Sequence, residues 1–314
     1  MPHPIRFGIQ TGQQNVPWKD MLALWQKADA WGYDSLWNFD HFYPIFVDPD
    51  GPCFEAWTTL SALAQATKRA RIGTMVNGNT YRNPCLTAKM AASLDHISGG
   101  RLNLGIGAGW FELEHRAMGF DFKDVPKRLA ALDEACQIIK GMLTQPRTTL
   151  HGKHYTVDEV IGMPKPVQQP HPPILIGGTG EKVLLKLVAK HADMYNASGA
   201  AERLGHFIEV IKRHGDTVRR DTSTIENTVM ITLAYTRDKE RQQFVCNLVG
   251  GMFGMQPDAA RKCIMIGDKQ ECLDTIARYR KVGVSHFIFM LFQPIREEEV
   301  QAFAEEVFPA ARSL

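Results

Sequence analysis

Short runs of β-branched and aromatic residues alternate along this chain with longer stretches whose apolar positions recur every three or four residues. These are the two periodicities of strand and amphipathic helix. Arg6 to Gln10 predicts a first strand, and Met21, Leu22, Leu24, Trp25 and Ala28 set one apolar face on a helix from Trp18 to Trp31, which Gly32 ends. The same reading predicts strands over 35–39, 70–76, 102–108, 174–178, 194–197, 228–235 and 286–291. Helices are predicted over 54–65, 86–97, 111–118, 127–143, 202–214, 271–282 and 297–307. About eight such units is the number that closes a parallel sheet on itself, so the expected fold is an α/β (β/α)8 TIM barrel.

The rhythm breaks twice. Thr148 to Tyr155 patterns as a hairpin, and Pro164, Pro166, Pro170, Pro172 and Pro173 follow it as a connector. Because Ile174 resumes the alternation, this stretch reads as an insertion after the fourth strand's unit and not as a domain linker. After the seventh strand, Phe244 to Met255 is apolar and rich in Gly and Met, which reads as an insertion at the strands' C-terminal face, a lid or a dimer surface. The expectation is one domain over 1–314, with insertions after strands four and seven.

Composition adds exclusions. At 44% hydrophobic and 22% charged, the 314 residues are those of a soluble globular protein. A net charge of +2 provides no field to gather nucleic acid or an anionic membrane. No apolar run approaches the roughly 18–20 residues of a membrane span, and the start lacks a signal peptide's apolar region, so a cytoplasmic protein is expected. Six cysteines without CxxC spacing read as free thiols. His151 and His154 have no third ligand in register, so no metal site is expected.

Chemistry in such a barrel belongs on the rim where strands end. Asn38-Phe39-Asp40-His41-Phe42 sets a carboxylate and an imidazole there, and histidine exchanges protons near neutral pH. Gly105-Ile106-Gly107-Ala108-Gly109-Trp110 is a glycine-rich turn opening a helix, where backbone N–H groups can hold a phosphate, and Gly177-Gly178-Thr179-Gly180 repeats the device. Neither is a P-loop or a dinucleotide fingerprint. Together they point to a phosphorylated ligand. Hydrolase routes through a GxSxG elbow or an activated cysteine are absent from the sequence.

The segment Ser93-Leu94-Asp95-His96-Ile97-Ser98-Gly99-Gly100-Arg101-Leu102 through Trp110 resembles the signature of the bacterial luciferase-like flavin oxidoreductases. Pro173 to Gly178 with Ala192-Asp193, and Gly267-Asp268 to Phe287, are similar to the same family, so the likeness covers nearly the whole chain. Gln10 to Gln14 together with Asp40-His41-Phe42-Tyr43-Pro44 resembles the subgroup dependent on the deazaflavin coenzyme F420. The resemblance implies a barrel, often dimeric, that holds F420, or alternatively FMN, with its ring in the rim cavity. It implies a non-proline cis peptide near Met75-Val76 against the ring. It also implies cofactor contacts from Asp40, Met75, Val76, Asn77, Gly107, Ala108, Gly109, Gly177, Gly178 and Thr179.

The expected reaction is hydride transfer between the deazaflavin and a small organic substrate. His41 is the expected proton carrier, and Gln10, Gln13, Phe42 and Trp110 are expected on the substrate. The sugar-phosphate dehydrogenases of this family carry a Glu where this chain has Trp110. With Phe42, Tyr43 and Phe46 nearby, that favours a largely apolar substrate. The alternatives are an FMN-dependent luciferase-like monooxygenase, or a flavin-binding barrel without catalysis. Expected partners are a second copy of the chain and, where the cofactor is supplied reduced, a separate reductase.

Overall fold

The computed structural model describes residues 3–313. In chain order its elements are β1 (Arg6–Thr11), α1 (Trp18–Ala30), β2 (Ser35–Asn38), α2 (Ala56–Ala66), β3 (Arg71–Thr74), β4 (Asn77–Gly78), α3 (Pro84–Ile97) and β5 (Leu102–Gly107). Then come α4 (Glu112–Met118), α5 (Val125–Thr144), β6 (Thr148–His151), β7 (Thr156–Val160), β8 (Ile174–Gly177), α6 (Leu184–His191), β9 (Met194–Ala197) and α7 (Ala201–Val218). The chain closes with β10 (Glu226–Tyr235), α8 (Lys239–Phe253), α9 (Pro257–Arg261), β11 (Ile264–Gly267), α10 (Lys269–Lys281), β12 (Val284–Leu291) and α11 (Glu297–Ala311).

Strands β1, β2, β3, β5, β8, β9, β10 and β12 pair in parallel in that order, and β12 returns to β1, so the sheet closes into the expected (β/α)8 barrel. Alternation along each strand sorts the two layers. Phe7 points outward, stacking on Phe308 of α11 at 4.4 Å, while a Cβ on the neighbouring Gly8 would meet Ser35 and His286 inside. The barrel's interior is filled by Trp37, Leu175, Met194 and Ile288, with Met75 and Val76 packed above them. Beneath, Trp37 donates to Ser35 Oγ at 2.7 Å, Ser35 Oγ shares a 2.7 Å hydrogen bond with His286 Nε2, and Arg6 pairs with Glu226 at 3.1 Å. This polar plug seals the N-terminal end and leaves the opposite end for function.

Two departures from the sequence pattern matter. The stretch after β8 contains α6, an eight-residue helix that the periodicity did not reveal. The Gly- and Met-rich stretch is largely the second half of α8, which Asp238 caps and Gly254 ends in the left-handed region at φ 63°. The proline-rich insertion does carry a hairpin, β6 and β7, paired antiparallel. Strand β10 changes partners along its length: Glu226–Val229 pair with β9, and Thr232–Tyr235 pair with β11.

Among the described residues no helix is long and apolar enough to cross a membrane, and no group of three or more His, Cys, Asp or Glu could hold a metal ion. All six cysteines are free.

Candidate active site

A cavity of about 480 Å³ opens at the C-terminal ends of the strands. Asp40 and His41 reach it from the end of β2, Met75 to Gly78 and Tyr81 from the β3–α3 segment, and Gly109 and Trp110 from beyond β5. Gly177 to Thr179 line it after β8, Asn196 to Ser198 at β9, Met230 on β10 and Phe253 at the end of α8.

His41 is buried, and its Nδ1 lies 2.6 Å from Oε1 of Glu114 on α4. Glu114 is fully buried and also accepts from the Tyr81 hydroxyl and, at 2.8 Å, from the backbone N–H of Phe42. Burial pushes the Glu114 carboxyl up, but the hydrogen bond and charge of His41, then Tyr81 and Phe42, outweigh it and hold it below its ordinary value. An ionised carboxylate can only accept, so Nδ1 carries a hydrogen and Nε2 is the ring nitrogen left to the cavity. Burial, with Glu114 second, pushes the Tyr81 phenol well above its usual range, so it stays a donor. The His41 ring meets Trp110, Phe39 and Phe111 edge-on with centroids 5.4–5.7 Å apart, which fixes its plane.

Asp40 is equally buried but already paired. Arg82 grips both its oxygens at 2.7 and 3.0 Å, and the Gly78 N–H reaches it at 3.0 Å. Burial dominates and raises its carboxyl despite Arg82. Arg82 extends to Glu55, the N-cap of α2, so Asp40 ties the β2 and β4 ends to that helix.

The Met75–Val76 peptide is cis, at the position that the resemblance implied. Val76 rises into the cavity floor among bare backbones: a Cβ on Gly105 would sit 3.1 Å from Val76 Cγ1 and 2.0 Å from the Thr74 carbonyl, and one on Gly107 2.9 Å from Val76 Cγ2. Those glycines seat a side chain. Asn77 donates to the Gly105 carbonyl at 2.6 Å, while its Oδ1, at the cavity wall, has no partner among the described residues. Gly178, at φ 134°, is pinned by a 3.0 Å bond from its own N–H to the Asn196 carbonyl and by Tyr195, whose hydroxyl donates to its carbonyl at 2.9 Å.

Of the residues singled out from sequence, the cavity gathers His41, Asp40, Met75, Val76, Asn77, Gly109, Gly177, Gly178, Thr179 and Trp110. Five are not on its wall. Gly107 lies behind Val76, whose bulk takes the space that a ligand would need, and Ala108 packs against the main core. Gln13 is fully buried with both ends of its amide on the Phe39 backbone, at 2.5 and 3.2 Å, so it braces β2's end. Gln10 stays within the barrel wall, in register with Trp37 and Met290. Phe42 turns away to stack on Phe120 at 5.6 Å. Sequence reasoning missed Glu114, Tyr81, Asn196, Ser198, Met230 and Phe253.

Residues 2–244 match the model of a family described as luciferase-like monooxygenase. The F420-dependent glucose-6-phosphate dehydrogenase of Amycolatopsis mediterranei is 24% identical over 99% of both chains. The FMNH2-dependent dimethylsulfone monooxygenase of Pseudomonas putida is 25% identical over 83% of this chain and 79% of its own. Among solved structures, an F420-dependent secondary alcohol dehydrogenase in complex with an F420-acetone adduct superposes with a TM-score of 0.85 at 24% identity, over 98% of this chain and 99% of that one.

Proposed function

This chain belongs to the luciferase-like monooxygenase family, and on that premise we propose that it is an F420-dependent oxidoreductase acting on a small, largely apolar organic substrate. That it is an oxidoreductase follows from relatives that are dehydrogenases and monooxygenases. The observation that carries the finer reading is the His41–Glu114 pair, aimed at a cavity whose outer wall is Trp110 and Phe253.

The cavity suits a flat heteroaromatic ring. It offers an apolar bulge in Val76, a polar edge in the unpartnered Asn77 Oδ1, and a bare-backbone turn at Gly177–Thr179 suited to a ribityl or phosphate oxygen. When bound, the deazaflavin supplies a ring carbon that accepts or donates hydride. The chain's own part is positional and protic. Glu114 fixes the His41 tautomer, His41 Nε2 takes or returns the substrate's proton, and Trp110 and Phe253 give that exchange an apolar border. Trp110 provides no charge for a sugar phosphate, which separates this reading from glucose-6-phosphate oxidation.

A second reading, FMN-dependent oxygenation, is favoured by the monooxygenase relative and uses the same ring site. Purified protein titrated separately with F420 and with FMN, then assayed with reduced cofactor with and without oxygen, decides between them. The expected result is F420 binding and oxygen-independent turnover; FMN binding without F420 binding overturns the proposal. His41→Ala should retain cofactor and lose turnover by roughly 10²-fold or more. We further propose a homodimer.

A further inference from the structure

Three aromatic rings from separate segments meet at the mouth of the candidate active site. Trp110, from beyond β5, and Phe253, at the end of α8, line the cavity wall. The third, Phe46, lies on the connection between β2 and α2 and stands outside that wall. Its ring stacks on Trp110 with centroids 6.0 Å apart and 20° between the planes, and it meets Phe253 at 6.1 Å. Trp110 in turn meets His41 edge-on at 5.4 Å, so one indole joins the proposed proton carrier to Phe46.

This arrangement is not demanded by the core. Phe46 and Val47 are each 52% exposed, and Trp110 is 53% exposed. Apolar side chains grouped in water at the rim of a cavity are the mark of a surface that receives a ligand. The backbone also opposes the placement. Phe46 has φ 62°, in the left-handed region that a residue with a Cβ seldom adopts, and such a conformation persists only where its surroundings impose it. Gln14 imposes it. Its amide nitrogen donates to the Ile45 carbonyl at 3.1 Å and its amide oxygen accepts from the Ile45 N–H at 2.8 Å, holding the preceding residue by both backbone groups. Beyond the arc, the Asn15 N–H donates to the Pro52 carbonyl at 2.8 Å, and Gln14 pairs with Cys53 in an antiparallel bridge. The arc from Phe46 to Gly51 is thus strapped at both ends to the segment after β1, with its single aromatic ring delivered to the mouth.

We propose that Phe46 is a specificity-determining residue. Its ring is the outer end of the apolar wall and sets the longest chain that the cavity accepts, and Gln14 is the positioning residue that keeps it there. The proposal rests on the apolar-substrate reading above and adds a shape to it: a compact apolar body with its proton-bearing group at His41 and its far end against Phe46.

Calorimetric titration with linear 2-alkanones, from acetone to 2-nonanone, tests this limit on the full chain loaded with whichever of F420 and FMN it binds. In wild type, affinity should rise about fourfold with each added methylene until the chain reaches Phe46, and then stop rising. Phe46→Gly removes the ring and suits the left-handed backbone. It should move the break to chains roughly two carbons longer, with cofactor affinity unchanged. Gln14→Ala keeps the ring but frees Ile45, and should move the break in the same direction. Urea unfolding separates this role from packing: the midpoint of Phe46→Gly should match wild type, because relief of the backbone offsets the lost ring contacts. A midpoint that falls as for a buried phenylalanine makes the ring a structural prop and overturns the proposal. So does the same break in wild type and Phe46→Gly, a result that leaves the apolar-substrate reading standing. If wild type binds cofactor but none of the ketones, the apolar-substrate reading itself fails and the limit falls with it.

Discussion

At the scale of single residues, the chemistry turns on which groups are ionised and which nitrogen is left over. Glu114 accepts three donors in a fully buried position, so its charge dictates the hydrogen on His41 Nδ1. Glu114→Gln keeps the shape and removes the dictate. Turnover should fall by roughly 10–10²-fold with cofactor affinity unchanged, and equal turnover in the variant would show that the carboxylate does not orient the base. The same change has a pH signature. The folded carboxyl lies below its ordinary value, so the stability from this group is complete above the unfolded value of about 4.3 and is lost as pH falls through the folded one. Denaturant unfolding between pH 6 and 3 should therefore lose stability less steeply in the Gln variant. His41 was legible from sequence because it follows a strand in a short motif. Glu114 was not, because the pair closes across 73 residues and nothing local marks a glutamate on a seven-residue helix as a partner.

Among the elements, legibility followed length and regularity. α1 and α5 were readable because several turns repeat one apolar face, whereas α6 is only eight residues long, too short for the period to stand out. α8 was obscured by Gly250, Gly251 and Gly254, which read as loop, although its N-cap Asp238 and the buried Val245, Cys246 and Val249 make it a helix. Its last residue reaches the candidate site: Phe253 lies on the cavity wall and meets Phe46 with centroids 6.1 Å apart. Phe253→Ala removes apolar surface worth about 1–1.4 kcal/mol to a bound substrate, a roughly 5- to 10-fold rise in KM with cofactor affinity intact. A KM that does not move would take α8 out of substrate recognition. The glycines at the end of β5 carry the opposite lesson. Their spacing read as a phosphate cradle, but Gly105 and Gly107 are bare because Val76 and the Thr74 carbonyl approach them, a contact between segments that only the folded chain brings together.

For the whole molecule, the alternation of patterns was sufficient to predict a closed barrel, since parallel strands with intervening helices have few other ways to bury both faces. What it could not show is how the ends are joined. α11 covers that seam: Phe308 stacks on Phe7 of the first strand and meets Tyr33 at 4.9 Å, and the Tyr33 hydroxyl donates to the Val300 carbonyl at 2.8 Å. Phe308→Ala should destabilise the protein by about 3–5 kcal/mol, read by urea unfolding. A loss below about 1 kcal/mol would mean that the last helix is peripheral. Strand β10 has a different consequence. Its first half belongs to the barrel and its second half to β11, so the wall forks at mid-height. The root of the fork holds the hoop closed, while the tip carries α8 and its phenylalanine as a cuff with a small apolar core of its own. Residues in the cuff can be exchanged, and the mouth reshaped for another guest, without shifting the register of the hoop below.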